Sequence, residues 1–287
     1  MLAFGLSGDV GAGKSTLARL WRERGASVLD ADEVVRALWT RRDVLDAALS
    51  RWGRGIVGDD GRVVPSAVAG KAFSGPEEYR WLCALLHPMV RIEMERAASS
   101  LEGWVVAEIP LLFEGGIPWW IDAAIYVTAP EEIRRERNAS RGWNKNEIAR
   151  REAFLLPGGE KRALADLVIE NGQTLEKLTE EADRLAERFR QLSSLTLATV
   201  SFPDGESPRE FSALLHRKGL GTDFLLRTGE GGESGGTKFI LDFFTLEKWF
   251  NEIAEALSPY PGVFPLLVRP RRLPWKYRNA LSEGLRP

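Results

Sequence analysis

Leu2-Ala3-Phe4-Gly5-Leu6-Ser7-Gly8-Asp9-Val10-Gly11-Ala12-Gly13-Lys14-Ser15-Thr16 is the stretch on which the reading of this chain turns. The apolar run Leu2–Leu6 has the character of a buried strand, and a helical pattern (Leu17, Leu20, Trp21) follows the glycines. Between them, Gly8 to Ser15 satisfies G-x-x-x-x-G-K-[ST], the pattern of a phosphate-binding loop. Glycine at 8, 11 and 13 lets the backbone wrap closely enough for successive N–H groups to face phosphate oxygens, and the helix adds its positive N-terminal end. The nucleotide-binding set is therefore Gly8, Gly11, Ala12, Gly13, Lys14, Ser15 and Thr16. Lys14 reaches the β/γ-phosphates of ATP, and the Ser15 hydroxyl ligates Mg²⁺. A dinucleotide-binding turn needs no Lys-Ser pair and does not explain these two residues.

Composition fits an ordinary globular protein of 287 residues, long enough for one large or two modest domains. A formal net charge of −2 offers no electrostatic footprint for nucleic acid or a membrane surface. Cys83, the lone cysteine, excludes an intrachain disulfide framework and sits among Trp81, Leu82, Leu85 and Leu86 as a packed thiol. No apolar stretch approaches membrane-spanning length, and no basic segment precedes the first strand, so the expected compartment is the cytoplasm.

Strands alternate with helices as far as residue 190, which predicts an α/β domain with a mostly parallel sheet. The expected strands are Leu2–Ser7, Ala26–Asp30, Trp104–Ile109, Ala124–Thr128 and Leu167–Glu170. A long helix over Pro76–Ser100 and a glycine-interrupted region, Val44–Phe73, form a helical insert where the acceptor substrate is expected. After a break near Leu192-Ser193-Ser194 the pattern restarts as β-α-β-β-α-β, the order of a small ferredoxin-like α+β domain. The expected domains are thus 1–192 and 193–287. The run Gly229–Gly236 carries two acids and no lysine at the required place, so it reads as a hairpin connection and not a second phosphate cradle.

Chemistry in open α/β sheets gathers at the C-terminal ends of the strands. Asp30-Ala31-Asp32 closes the second strand, where one acid caps the next helix and the other orients or deprotonates an alcohol. Asp32 is assigned the catalytic and substrate-binding role. Glu108 closes the third strand, where an acid holds Mg²⁺ through water. Arginines 134, 135, 137, 141, 150 and 151 follow the fourth strand as a lid. Of these Arg137 and Arg141, four apart on one helical face, are assigned to phosphate, Arg137 to the nucleotide and Arg141 to catalysis.

Residues 1 to about 190 resemble dephospho-coenzyme A kinase. The likeness rests on Gly5-Leu6-Ser7-Gly8, Val28-Leu29-Asp30-Ala31-Asp32, Leu86-His87-Pro88-Met89-Val90, Ile109-Pro110-Leu111-Leu112-Phe113-Glu114 and Ala165-Asp166-Leu167-Val168-Ile169-Glu170-Asn171, in that order. It implies ATP-dependent phosphorylation of the ribose 3′-hydroxyl of dephospho-CoA, and carries family roles to Lys14, Ser15, Asp32, Arg141 and His87, the last as an acceptor-side binder before a proline at a helix break. The chain departs from the family pattern at Asp9, where glycine is usual and a carboxylate is expected near the phosphates. It also departs at Pro65, Gly142, Leu155 and Glu108. Two other readings stay open: a P-loop kinase for another small alcohol or nucleotide, and an ATP-binding regulatory protein without turnover.

The C-terminal segment resembles the CutA divalent-cation tolerance family more loosely. Lys218-Gly219-Leu220-Gly221-Thr222-Asp223, Ser258-Pro259-Tyr260-Pro261-Gly262-Val263-Phe264-Pro265 and Trp275-Lys276-Tyr277 carry the likeness. It implies homo-oligomerisation, typically as a trimer. His216 has no His/Cys cluster near it in sequence, so metal ligation is not expected.

Overall fold

The computed structural model describes residues 2–140, 142–230, 237–260, 262–263 and 265–268. Two compact units divide it, one spanning Ala3–Asp183 and the other joining Leu2 to the residues from Arg184 onward.

Along the first unit run β1 (Leu2–Gly8), α1 (Lys14–Glu23), β2 (Ser27–Asp30), α2 (Ala31–Leu38), α3 (Arg42–Trp52), α4 (Pro65–Ala72), α5 (Pro76–Ser99) and β3 (Trp104–Glu108). There follow β4 (Ala123–Thr128), α6 (Glu131–Ala139), α7 (Lys145–Glu152), α8 (Gly158–Leu164), β5 (Leu167–Glu170) and α9 (Leu175–Ser193). Every residue of β1 and β3 is buried, as expected of strands covered by helices on both faces, and both read as nearly unbroken apolar runs. The sheet order is β2-β3-β1-β4-β5, and the pairs β2–β3, β1–β4 and β4–β5 are parallel. Because β1 is flanked by strands that come later in the chain on both sides, the crevice at its C-terminal end is a switch point for ligand. The phosphate loop occupies that crevice.

Helices α3, α4 and α5 make the expected insert between β2 and β3. Val44 of α3 and Leu86 of α5 bury against Leu38 of α2, with Leu82, Leu85, Met89 and Val90 packed around them. That apolar face keeps α5 continuous for 24 residues through Pro88, which corrects the expected helix break at His87-Pro88. A proline forfeits one backbone hydrogen bond, and packing along the whole helix offsets it.

The second unit contains β6 (Leu195–Phe202), α10 (Ser207–Lys218), β7 (Thr222–Glu230), β8 (Thr237–Leu246), α11 (Phe250–Ala256) and β9 (Pro265–Val268). Its antiparallel order is β7-β8-β6-β9, the split β-α-β-β-α-β arrangement read from the sequence. Ala198, Val200 and Phe202 alternate along β6 into a core with Phe211 and Leu215 of α10 and Phe243 of β8. Helix α9 ends at Ser193, beside the expected break, whereas the compact units part between Asp183 and Arg184 inside that helix. Residues 231–236 and the Trp275-Lys276-Tyr277 motif lie outside the described residues.

Candidate active site

Gly13 caps α1 in the left-handed region at φ 96°, and Gly11 is left-handed at φ 80°. These turns bring the loop close against its surroundings: a Cβ on Gly8 would stand 2.1 Å from the Val127 carbonyl oxygen, and one on Gly13 would stand 2.3 Å from Asn171 Nδ2. Three side chains hold the loop from outside, two from α6 and one from just past β5. Asn171 Nδ2 donates to the Ala12 carbonyl at 2.8 Å, and Asn138 of α6 donates to that of Val10 at 3.3 Å. Both asparagines are buried. Arg137 approaches the Ala12 carbonyl and Asn171 at 3.5 Å, half-buried beside Gly13. Thr16 lies in the first turn of α1, half-buried.

Lys14 Nζ donates to the carbonyls of Gly8 and Asp9, each at 3.0 Å. Desolvation lowers its pKa, opposed by the carboxylates of Glu108, Asp9 and Asp32. Ser15 Oγ donates to Glu108 Oε1 at 2.7 Å. Burial pushes the Glu108 carboxyl upward while the Ser15 hydrogen bond pulls it down, with Asp30 and Asp32 adding like charge. The β2–β3 register sets Asp30 beside Glu108, so the ends of both strands point acids at the phosphate loop.

Asp30 takes the structural part of the pair. Its Oδ1 accepts the Asp32 N–H at 2.8 Å and caps α2, leaving Asp32 free of that duty on the first turn. Desolvation first and the Asp30 charge second raise the Asp32 pKa, against Arg36, Lys14 and Arg151. Asp32 borders a cavity of about 120 Å³ walled by Val35, Val90, Met94, Ile109, Leu112 and Trp120, with His87 and Arg91 at its polar side. Burial and the Arg91 charge lower the His87 pKa, so the ring is neutral near pH 7.

Helix α6 closes at Ala139: the Gly142 N–H returns to the Ala139 carbonyl and the Trp143 N–H to that of Asn138, with Gly142 left-handed at φ 77°. Arg141, assigned to phosphate with Arg137, lies outside the described residues. Arg151, which the sequence placed in the lid without a role, is stacked over Trp143 at 4.2 Å and Phe73 at 5.3 Å, with Nε on Glu147 at 2.7 Å. Arg134 forms an ion pair with Glu152. Phe154, just beyond α7, packs on Tyr79 of α5 with ring centroids 4.5 Å apart, and Phe73 joins them. Beneath this cluster the half-buried Cys83 thiol shares a hydrogen bond with Tyr79, and burial raises its pKa.

The carboxylate of Asp9 does not face the phosphate site. Its Oδ2 accepts hydrogen bonds from Tyr126 and Thr128, both at 2.8 Å, and Oδ1 lies 3.9 Å from Lys161 Nζ. Tyr126, desolvated and bonded to that carboxylate, has its pKa pushed up to about 12. Sequence reasoning missed Lys161 entirely: a lysine in Gly158-Gly159-Glu160-Lys161-Arg162 carries no signal of burial. Asn171 ended a quoted motif, yet its bond to the loop had no sequence signature.

A loop shaped for phosphate and a facing acid for an alcohol proton occur together in one class, the P-loop kinases. A family model described as Dephospho-CoA kinase matches residues 2–177. The chain belongs to the dephospho-CoA kinase family. It is 43% identical over 184 residues to the dephospho-CoA kinase of Deinococcus radiodurans, covering 62% of this chain and 88% of the relative. The Anaeromyxobacter dehalogenans enzyme of the same name is 38% identical over 196 residues, covering 66% and 93%. A crystal structure of TT1252 from Thermus thermophilus superposes with TM-score 0.55 at 37% identity, over 65% of this chain and 97% of its own.

Proposed function

We propose that the first unit transfers the γ-phosphoryl group of ATP to the ribose 3′-hydroxyl of dephospho-CoA. The observation that carries this reading is the convergence of Lys14, the Ser15–Glu108 pair and Asp32 at the ends of β1, β2 and β3, beside a cavity with apolar walls and a polar rim. Family membership supports the choice of acceptor.

Asp32 accepts the proton of the 3′-hydroxyl as its oxygen bonds to the γ-phosphorus and the bond to the ADP oxygen breaks. Lys14 follows the charge that moves onto the β/γ bridge. Arg137 guards the loop side of the nucleotide, and Arg141 belongs to the catalytic set on the lid. His87, neutral, offers a hydrogen bond to the acceptor. Ser15 and Glu108 suit Mg²⁺, since a hydroxyl and a carboxylate already 2.7 Å apart supply two hard oxygens. Bound there, the ion neutralises β- and γ-phosphate charge.

The second unit is proposed to assemble copies of the chain, as its CutA-like motifs imply, because β7 and β9 are the outer strands of its sheet among the described residues. Acceptor-dependent ADP release tests the kinase reading. Stimulation by dephospho-CoA supports it, stimulation by a different alcohol instead moves the chain to another substrate, and no stimulation by any acceptor leaves an ATP-binding protein without turnover.

A further inference from the structure

Catalysis leaves unused a charge buried below the phosphate loop. Lys161 is 1% exposed, and its ammonium lies 3.9 Å from Asp9 Oδ1 and 3.6 Å from Glu114 Oε1. Both separations exceed hydrogen-bonding length, so the charge is shared by two carboxylates and committed to neither. Glu114 Oε2 is buried with no hydrogen-bond partner among the described residues. A movement of about 0.4 Å toward Glu114, or of about 0.7 Å toward Asp9, would make one hydrogen bond.

Each end of this arrangement holds an element that must act in phosphoryl transfer. Asp9 is part of the phosphate loop: its carbonyl accepts from Lys14, its N–H donates to the Val127 carbonyl, and its carboxylate is fixed by Tyr126 and Thr128 of β4. Glu114 Oε1 accepts the Leu156 N–H at 2.9 Å, where the chain leaves α7 and the Phe154 contact for α8. Lys161 stands on α8 between them.

We propose that Asp9, Lys161 and Glu114 form a buried bridge through which seating of nucleotide phosphate in the loop sets the position of the lid exit at Leu156. Lys161 is its positioning residue. Phosphate competes with the Asp9 carbonyl for Lys14, whose charge and that of Lys161 already act on each other, and in a low-dielectric interior a shift of either is felt by the other. Coupling requires an element whose arrangement both sites can bias, and Lys161 stands between two acids, one tied to each site. The inference rests on ATP binding at the loop and is indifferent to which alcohol is phosphorylated.

Hydrogen–deuterium exchange on the full chain, with and without a non-hydrolysable ATP analogue, tests it. In the wild type the analogue should slow exchange at both the phosphate loop and residues 154–158, the latter by roughly fivefold or more. Asp9→Asn keeps an acceptor for Tyr126 and Thr128 but removes the charge, and Glu114→Gln keeps an acceptor for the Leu156 N–H. In both variants protection of the loop should persist while that of 154–158 falls to under about twofold, and kcat should drop with little change in KM for ATP. Lys161→Met would strand two acids, so it is paired with Glu114→Gln, with melting temperature as the check on folding. Wild-type-like protection of 154–158 in Asp9→Asn and Glu114→Gln overturns the bridge. Protection at the loop without protection at 154–158 in the wild type also overturns the bridge and spares the kinase reading, whereas protection at neither removes the nucleotide assignment and the bridge with it.

Discussion

At the scale of single residues, Lys14 and Asp32 are each held in a protonation state that the surroundings resist. Lys14 is desolvated, yet its two carbonyl partners and three nearby carboxylates keep the ammonium satisfied. Lys14→Ala should lower kcat/KM by roughly 100- to 1,000-fold with the fold intact, measured by coupled ADP release and circular dichroism. Asp32 is raised above the ordinary carboxylate value of 3.8, so its proton is lost at a higher pH than usual. The acid limb of the kcat/KM profile should therefore lie above that value, and Asp32→Asn should abolish the limb while depressing kcat far more than ATP affinity. The sign for stability is opposite. A carboxyl whose folded pKa is raised contributes fully below its unfolded value, and the contribution is lost as pH rises through the folded one. Asp32→Asn should accordingly raise the melting temperature at pH 7 to 8, and a lower melting temperature there would contradict the assigned desolvation.

Among the elements, the loop and α1 depend on partners far away in sequence. Asn171→Ala leaves the Ala12 carbonyl short of its 2.8 Å donor and should cost about 1–3 kcal/mol in urea unfolding, with a raised KM for ATP. Gly13→Ala should be worse for ATP binding, since both the positive φ and the nearby amide oppose a methyl group. The strands were legible because β1, β3 and β4 are buried on both faces and read as short apolar runs between turn residues. The split order of the second unit was legible in the same way, through alternation along β6 and glycine after α10. Less visible was anything set by tertiary pairing. Pro88 reads as a break, yet α5 carries it because the helix is packed on both sides of the ring. Nothing in the sequence sets Arg151 or Lys161 apart, and only the fold brings Trp143, Phe73, Asp9 and Glu114 to them. Asp32 over Asp30 could be argued from sequence because only one of two acids can cap α2.

For the molecule as a whole, the phosphate loop, the strand-end acids and the lid all precede the second unit. A fragment ending near Gln191 should keep acceptor-dependent ADP release and lose self-association by light scattering, while an inactive fragment would argue that the kinase needs the residues beyond. Cys83 is the single cysteine among 287 residues, and its thiol sits under Tyr79, which Phe154 covers from the lid side. That placement turns the native protein into its own chemical stopwatch. Alkylation by iodoacetamide needs the thiolate, which burial disfavours, and access to a half-buried sulfur whose hydrogen-bond partner, Tyr79, packs on Phe154. The labelling rate at pH 8, read by mass spectrometry without any engineered probe, should thus respond to the Phe154–Tyr79 packing and slow when an ATP analogue holds the lid down, whereas an unchanged rate would show that the lid does not bear on this thiol.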